Sequence, residues 1–337
     1  MSWILARGRD EGVIMGKQLE VKSLTVGFRS GREVHNAVSN VTYYLNRGET
    51  LCIVGESGCG KSVSVSSILR LLPERSTVIS GEILFGGIDL LQAEEKTLDQ
   101  IRGDKISMIF QEPMTSLNPS MTIGRQLIES VNAHERVPKE KALDLCKRML
   151  TEVGIHDAER CMNAYPHEFS GGMRQRVMIA MAMICKPEIL IADEPTTALD
   201  VTVQAQILSL MRKLKNEYGT SIIFITHDMG VVAEMADDVI VMYAGEIVEK
   251  SSVTELFTNP KHPYTKGLLA SLPHIGEKQN RLYSIEGTVP SLANMPAGCR
   301  FKQRCKEKCD ACNVHPDLYK SGEGYVRCVL YSRGDDL

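Results

Sequence analysis

The chain has 337 residues, of which 43% are hydrophobic and 24% are charged, and its formal net charge at pH 7 is −3. The length favours one large domain with a smaller one, and the slightly negative charge excludes a general nucleic-acid-binding protein. No apolar run reaches the length of a membrane span, and the first 17 residues carry charges where a signal peptide is apolar. We therefore expect a cytoplasmic protein, with any membrane spans supplied by other subunits.

The first recognisable elements are β-strands. The first fourteen residues show no clear helix or strand pattern, and residues 1–17 are treated as an N-terminal extension. From Glu20 to Glu49 apolar and polar residues alternate, and turn signals stand at Ser30-Gly31 and Arg47-Gly48. A period of two residues is typical of strands with one buried face, so this segment predicts an antiparallel β layer.

A glycine-rich loop follows the apolar run at residues 51–54, which predicts a buried strand. Glycines let the backbone turn tightly, so that several N–H groups point at one phosphate, and a helix beginning near Lys61 adds its positive end. Lys61 would contact the β- and γ-phosphates, and Ser62 would ligate Mg²⁺. The alternative is a glycine-rich turn without a ligand. The predicted nucleotide contacts are Gly55, Glu56, Ser57, Gly58, Cys59, Gly60, Lys61 and Ser62.

The thiol of Cys59 lies inside this loop. A helix N-terminus and a neighbouring lysine are a setting that lowers the pKa of a thiol, which predicts that alkylation of Cys59 blocks hydrolysis of a nucleotide at this loop and that the bound nucleotide protects the thiol. The alternative is a passive filler at a variable loop position.

Further apolar runs predict buried strands, while the segment between Gln111 and Lys186 is mainly helical. The distance from Lys61 to the acidic pair at Asp193 is larger than a minimal nucleotide-binding core needs, which predicts an inserted helical subdomain at about residues 112–186. The predicted strands are Lys105–Phe110, Ile189–Ala192, Ser221–Thr226 and Val239–Tyr243.

Polar side chains stand at the ends of these strands. Asp193 would hold Mg²⁺, directly or through water, and Glu194 could polarise the water that attacks the γ-phosphate. Gln111 can reach Mg²⁺ or the attacking water, and His227 can touch the γ-phosphate or align the water. The alternatives are a solvent-facing acidic pair, and a glutamine and a histidine that, taken alone, would mean little.

Two successive glycines, Gly171 and Gly172, lie at the start of a predicted helix. Ser170 can cap a helix that runs to Cys185. Gly171 and Gly172 allow close backbone approach to an anion at the helix start. The alternative, a capped core helix without a ligand, does not explain two successive glycines.

These elements resemble, in order and spacing, the Walker A, Q-loop, signature, Walker B, D-loop and H-loop of ABC ATPases. The resemblance covers about residues 18–255 and implies an α/β P-loop NTPase with a RecA-like core, an antiparallel β subdomain and the helical subdomain. It rests on Gly55–Ser62, Gln111, Ser170-Gly171-Gly172, Asp193-Glu194, Ala198-Leu199-Asp200 and His227.

The resemblance also implies roles that the residues alone do not give. Phe28 stands where the family stacks an aromatic ring on adenine. Two ATPase domains would pair head to tail, so that Ser170 and Gly172 act on the partner's ATP, with Asp200 counted among the nucleotide-site residues. Phe169 and Met173 replace the usual Leu and Gln, a form familiar in the oligopeptide/dipeptide importers.

The tail, residues 256–337, resembles the C-terminal extension of that importer branch, on Asn259–Thr265, Leu268–Pro273 and residues 286–301. The alternative is a proline-started helix that packs on the ATPase core. Five of the ten cysteines lie in this tail. Four thiolates suit zinc or an iron–sulfur cluster. The first two of these cysteines are farther apart in sequence than the pairs of cysteines that usually bind zinc. The expected ligands are Cys299, Cys305, Cys312 and Cys328, with Cys309 as a rival and His315 as a weaker one.

Some members of the resembled branch hold a [4Fe–4S] cluster on this spacing, so the resemblance favours that cluster. It further implies an ATPase subunit of a peptide importer, bound to the cytoplasmic face of the membrane. Its partners would be a second, related ATPase, two permease subunits that dock near residues 111–121, and a solute-binding protein. The alternatives are an importer for a nickel complex, glutathione or an oligosaccharide, a soluble ABC ATPase acting on ribosomes or DNA, and a binding module with a regulatory ATP site.

Overall fold

The computed structural model describes residues 16–111, 116–135, 137–197, 199–272 and 283–332. Several sequence predictions concern positions outside these residues: most of the N-terminal extension, residues 112–115 of the docking groove, Ala198 and Pro273. The chain divides into two compact units. The first consists of the segments up to Leu91 and from Thr226 onward, and the second runs from Gln92 to Ile225.

The elements have the following bounds. The strands are β1 (Lys17–Ser30), β2 (Glu33–Asn46), β3 (Thr50–Val54), β4 (Thr77–Phe85), β5 (Ile88–Asp89), β6 (Ile106–Ile109), β7 (Ile189–Asp193), β8 (Ser221–Thr226), β9 (Asp238–Tyr243), β10 (Glu246–Ser252), β11 (Tyr319–Ser321) and β12 (Gly324–Val326). The α-helices are α1 (Lys61–Ile68), α2 (Glu95–Ile101), α3 (Ile123–Asn132), α4 (Lys139–Glu152), α5 (Ala158–Asn163), α6 (Gly171–Met183), α7 (Val201–Tyr218), α8 (Met229–Met235), α9 (Val253–Thr258) and α10 (Pro263–Ala270).

The first unit contains the predicted antiparallel layer. Strands β1 and β2 pair along most of their length, and the turn between them uses Gly31 with a positive φ of 63°. Strand β4, which the sequence did not single out, pairs with the other edge of β1, and β5 completes the order β2-β1-β4-β5. The alternation of buried and exposed residues along β2 is the reason why one face of this layer is apolar.

A second set of strands in the first unit carries the glycine-rich loop. Strand β3 is buried at every position and pairs in parallel with β9. Strand β9 continues antiparallel to β10, and β12 and β11 extend the sheet from the far end of the chain. The continuous apolar run of β3 fits a strand that is covered on both faces. Helix α1 follows β3, so the loop between them lies at the carboxyl end of a buried strand.

The second unit combines three parallel strands with most of the helices. Strand β7 pairs in parallel with both β6 and β8. Helix α6 begins after its cap Ser170 and ends at Met183, two residues before the predicted end at Cys185. Helix α7 was not predicted, and it ends at Gly219 with a positive φ of 67°. The predicted subdomain at residues 112–186 lies within this unit, and its bounds remain a prediction.

The last part of the first unit is the C-terminal extension. Helix α10 starts with Pro263 in its first turn, which agrees with the alternative interpretation of a proline-started helix, and His262 caps it by accepting a hydrogen bond from the Tyr264 N–H at 3.0 Å. No helix in the described segments combines the length and the apolar character that crossing a membrane requires.

Candidate nucleotide site

The glycine-rich loop depends on backbone freedom at Gly60. This residue precedes helix α1 with φ 100°, and a Cβ atom placed on it would lie 2.5 Å from the carbonyl oxygen of Ala37. Gly58 also has a positive φ, of 78°, but a Cβ there would meet open space. Gly60 therefore combines a conformation that disfavours side chains with a close backbone neighbour. Gly55 does so as well, with φ 155° and a Cβ position 2.3 Å from the carbonyl oxygen of Met242.

Lys61 lies in this loop with only 5% of its surface exposed. Its ammonium group donates hydrogen bonds to the carbonyl oxygens of Gly55 at 2.8 Å and Glu56 at 3.1 Å. Ser62 follows in the first turn of α1, half-buried. A buried ammonium group, a hydroxyl and a helix N-terminus provide a setting that favours a phosphate group.

Glu56 is held from outside the loop. Its carboxylate oxygens accept hydrogen bonds from Arg304 Nη1 at 3.0 Å each, and its N–H donates to the Tyr264 hydroxyl at 2.9 Å. Both partners belong to the C-terminal extension, 248 and 208 positions later in the chain. The sequence predicts Glu56 at the nucleotide but not these two contacts, since no local pattern indicates a partner so distant in sequence.

The structure corrects the prediction for Cys59. Its side chain is fully buried, and burial raises the pKa of the thiol, while the neighbouring Lys61 lowers it by less. The predicted lowering of the pKa is therefore wrong, because the loss of solvation outweighs the charge of the lysine. The alternative interpretation, a passive filler, agrees with this burial.

Two more predicted residues lie in the first unit. Phe28 is half-buried on β1, where its backbone pairs with His35 on one side and Thr77 on the other. His227 is exposed and directly follows β8. The next residue, Asp228, caps helix α8 by accepting a hydrogen bond from the Gly230 N–H at 2.8 Å.

In the second unit, the acidic pair ends strand β7. Asp193 is buried, with 4% of its surface exposed. Glu194 has a positive φ of 46°, and its carboxylate accepts hydrogen bonds from Gln111 Nε2 at 3.3 Å and from Thr197 Oγ1 at 3.0 Å. A strained backbone of this kind is typical of functional positions. The structure thus brings Gln111 and Glu194 together.

Thr197 is the member of this group that the sequence analysis missed. Two threonines that follow the acidic pair by two and three positions could have indicated this contact, since a hydroxyl so near in sequence can donate a hydrogen bond to a carboxylate. Thr197 itself is exposed, and its contact with Glu194 spans only three positions.

The two successive glycines, Gly171 and Gly172, begin helix α6 in the same unit. The Ser170 hydroxyl accepts a hydrogen bond from the Met173 N–H at 3.4 Å, which makes Ser170 the predicted cap. A Cβ on Gly172 would lie 2.8 Å from the Val203 side chain of α7, so close packing of two helices explains this glycine. Gly171 has no comparable neighbour, since the nearest atom to its Cβ position, on Leu199, is 4.0 Å away.

Asp200 has a structural role. Its carboxylate accepts a hydrogen bond from the Val203 N–H at 3.0 Å and caps helix α7. The two residues Met173 and Val201, at the starts of α6 and α7, are apolar and exposed, at 38% and 84%.

The cysteine-rich tail was expected to hold a metal, and only its described residues can be compared with that expectation. Within the described ranges, no group of three or more His, Cys, Asp and Glu side chains is arranged to hold a metal ion, so the structure does not support the predicted cluster. The four expected ligands are nevertheless buried or half-buried, whereas Cys309 is exposed. In His315, the weaker rival, Nε2 lies 2.8 Å from Oε1 of Glu246 and forms a hydrogen bond with it.

Comparison with known proteins identifies the family. The family model "ABC transporter" matches residues 38–197, and the model "Oligopeptide/dipeptide transporter, C-terminal region" matches residues 248–312. A probable peptide ABC transporter ATP-binding protein of Sinorhizobium fredii is 54% identical over 289 residues, covering 85% of this chain and 86% of its own length. The oligopeptide transport ATP-binding protein AppD of Bacillus subtilis is 49% identical over 321 residues, covering 94% and 98%.

The chain belongs to the ABC transporter family. As an ABC ATPase it hydrolyses ATP, and the resemblance predicted from the sequence is confirmed.

Solved ABC cassettes confirm the fold as well. A dimeric ATP-binding cassette in a post-hydrolysis state with ADP and Pi is 30% identical, with a TM-score of 0.62, and the match covers 70% of this chain and 98% of that one. The cassette cbiO1 of Clostridium perfringens is 27% identical, with a TM-score of 0.61, covering 72% and 91%. The predicted fold class, an α/β P-loop NTPase of the ABC ATPase type, is therefore confirmed.

Proposed function

We propose that this ABC ATPase energises the import of peptides across the cytoplasmic membrane, from the cytoplasmic face. The observation that carries the proposal is the match of residues 248–312 to the C-terminal region of oligopeptide/dipeptide transporters. Relatives with peptide, oligopeptide and dipeptide transport names, at 49% to 54% identity, support it. Other solutes, among them nickel complexes, glutathione and oligosaccharides, are the competing outcomes of the test.

The phosphate loop is proposed to bind ATP. Lys61 compensates the charge of the β- and γ-phosphates, and the loop residues from Gly55 to Ser62 surround them. Phe28 stacks on the adenine. The half-buried position of Phe28 and the buried ammonium group of Lys61 support these roles.

The proposed magnesium ligands are Ser62, Gln111 and Asp193. They offer a hydroxyl, an amide and a carboxylate oxygen, which are donors that this hard cation prefers. Bound Mg²⁺ would neutralise charge that develops on the phosphates. The 4% exposure of Asp193 at a strand end supports its assignment, since a buried carboxylate is stabilised by a cation.

Glu194 is proposed as the general base that takes a proton from the attacking water, with His227 aligning the γ-phosphate. The contacts of Gln111 and Thr197 to the Glu194 carboxylate support this role, because they fix the orientation of the carboxylate. His227 is exposed and follows β8 directly, so it is accessible to a ligand.

A second ATPase subunit is proposed to complete each ATP site, and we favour a related chain over a second copy of this one. Residues of the α6 and α7 starts, Ser170, Gly171, Gly172 and Asp200, would then face the partner's nucleotide. The exposed apolar Met173 and Val201 beside them support an interface, and a similar cassette is dimeric. Two permease subunits, docked near residues 111–121, and a solute-binding protein would complete the importer.

The tail is proposed to hold a [4Fe–4S] cluster on Cys299, Cys305, Cys312 and Cys328. The pKa of the Cys328 thiol is raised to about 11, mainly by burial and in smaller part by the nearby thiols of Cys299, Cys305 and Cys312, which places the four thiols close together. Iron and sulfide content of protein purified without oxygen tests this, with Cys309→Ser as the matched control. Zinc, or no metal, would contradict it.

The transport proposal is tested with the complete importer in lipid vesicles. We expect ATP-dependent uptake of labelled peptides, and ATP hydrolysis that increases when the solute-binding protein carries a peptide. The Glu194→Gln variant should assemble and bind ATP but abolish uptake. Stimulation by another solute class and not by peptides would contradict the peptide assignment, and co-purification with ribosomes in place of permeases would contradict transport.

A further inference from the structure

The C-terminal extension reaches the phosphate loop through one arginine. Arg304 follows Phe301 in a turn, with its N–H donating to the Phe301 carbonyl at 2.9 Å. Its side chain is 6% exposed, and Nε donates to the Glu286 carbonyl oxygen at 2.9 Å. The guanidinium group is therefore fixed by the backbone of the extension before it meets the loop.

The same guanidinium group also binds the carboxylate of Glu56. Nη1 lies 3.0 Å from both carboxylate oxygens of Glu56 and 3.4 Å from the Tyr243 hydroxyl. The Glu56 side chain keeps 31% of its surface exposed. An ion pair with one side removed from water is weakened less by solvent than a pair on the surface.

Tyr264 fixes the backbone of the same glutamate. This tyrosine is fully buried, and its hydroxyl accepts the Glu56 N–H at 2.9 Å. Burial raises the pKa of Tyr264, so the hydroxyl stays neutral and adds no charge to the loop. The Glu56 carbonyl meanwhile accepts a hydrogen bond from Lys61. Two of the three polar groups of Glu56 are thus bound by the extension and the third by the phosphate-binding lysine.

The charge arrangement gives these contacts a consequence for ATP. Glu56 places a negative charge inside a loop that must receive a strongly negative triphosphate, and like charges repel across a partly buried site. The positive charge of Arg304 compensates the carboxylate, which lowers the repulsion between the loop and the phosphates of the nucleotide.

We propose that Arg304 of the C-terminal extension is a positioning residue for ATP binding, which neutralises Glu56 and fixes the phosphate loop. The inference rests on ATP binding at this loop, as in the proposed function. It assigns the extension a part in the nucleotide cycle that does not depend on any metal in the cysteine-rich tail.

A double-mutant cycle on the full chain tests this inference, with the binding of a fluorescent ATP analogue as the measurement. Arg304→Gln leaves the Glu56 charge uncompensated, and we expect affinity to fall roughly tenfold, less at high salt. Glu56→Gln keeps the N–H bond to Tyr264 but removes a negative charge from the loop and leaves the charge of Arg304 unpaired, so we expect its affinity to rise. The double variant should recover most of the lost affinity.

The recovery separates charge compensation from a merely structural role. If Arg304 served only to fold the extension, the double variant would bind as weakly as Arg304→Gln, and that outcome overturns the inference. Lys302→Gln is the matched control, because it removes a positive charge from the same segment while its ammonium group contacts Ala297 and not the loop. We expect it to bind like the wild type.

Conservative variants add a second, independent readout. Arg304→Lys keeps the charge and should retain most of the affinity, whereas Tyr264→Phe removes the acceptor of the Glu56 N–H and should weaken binding about threefold, on the scale of one hydrogen bond. Thermal unfolding of each variant shows whether the extension stays folded. Absence of ATP binding by the wild type would instead contradict the proposed function, so the two failures are distinguishable.

Discussion

The phosphate loop and the acidic end of β7 are both short motifs, yet they are held in opposite ways. The loop gains its shape from positive φ angles at Gly58 and Gly60 and is held by Tyr264 and Arg304, which lie far away in sequence. The acidic end sits on a fully buried strand. A loop that must bend around phosphates needs flexible residues and therefore external support, whereas a reactive carboxylate gains precision from a rigid strand.

Substitution at the rigid end should have the largest effect. Glu194→Gln keeps the shape of the side chain but cannot accept a proton, so we expect ATP turnover to fall about 100- to 10,000-fold with ATP binding retained. Turnover and binding of the purified complex are measured in parallel. Thr197→Ala, which removes one hydrogen bond to the same carboxylate, should lower turnover much less. Near-normal turnover of Glu194→Gln would exclude Glu194 as the general base.

Substitution in the flexible loop should affect binding more than turnover. Gly60→Ala combines a positive φ with a backbone contact at 2.5 Å, and we expect a loss of about 3 kcal/mol of stability together with loss of ATP binding. Gly58→Ala is the matched control, since it has a similar φ but open space, and should cost about 1 kcal/mol. Equal effects of the two variants would show that the close contact at Gly60 affects neither stability nor ATP binding.

The C-terminal extension, which supports the phosphate loop through Tyr264 and Arg304, should become less stable in acid. His262 caps the helix that carries Tyr264, and burial, with the nearby charges of Lys266 and Arg327, lowers its pKa to about 3. Between that value and the unfolded pKa of about 6.5, only the unfolded chain binds the proton, so stability falls as pH falls. We expect this group to cost about 2 kcal/mol at pH 5, measured by denaturant unfolding.

The His262→Asn variant provides the control for this pH dependence. Asparagine can cap the helix but does not titrate, so the variant should be less dependent on pH between 6.5 and 4 than the wild type. An unchanged slope would assign the acid sensitivity to other groups.

The smallest expected effect concerns the thiol in the loop. Because Cys59 is fully buried and its pKa is raised, iodoacetamide should modify it at least about tenfold more slowly than the exposed Cys309. Mass spectrometry of the labelled native protein measures both rates, and unfolding should remove the difference. Rapid labelling of Cys59 in the native state would show that the loop opens readily.

Local patterns allowed a large part of the fold and site to be predicted. The β1–β2 hairpin, the buried strands β3 and β7, and the capped start of α6 followed from periodicity and from residues that cap or turn. Helix α7 was missed because its cap, Asp200, had been assigned only to the nucleotide site. The pKa direction of Cys59 was wrong because burial does not show in a loop sequence.

The sequence by itself determined the phosphate loop, the acidic strand end and the family, because each depends on neighbouring residues whose spacing is fixed by the covalent chain. Only the tertiary structure decided that the Glu56 carboxylate is paired with Arg304, and that Gly172 makes room for Val203. These contacts join residues that are distant in sequence, and they form because burial forces polar groups to find partners and backbones to pack closely.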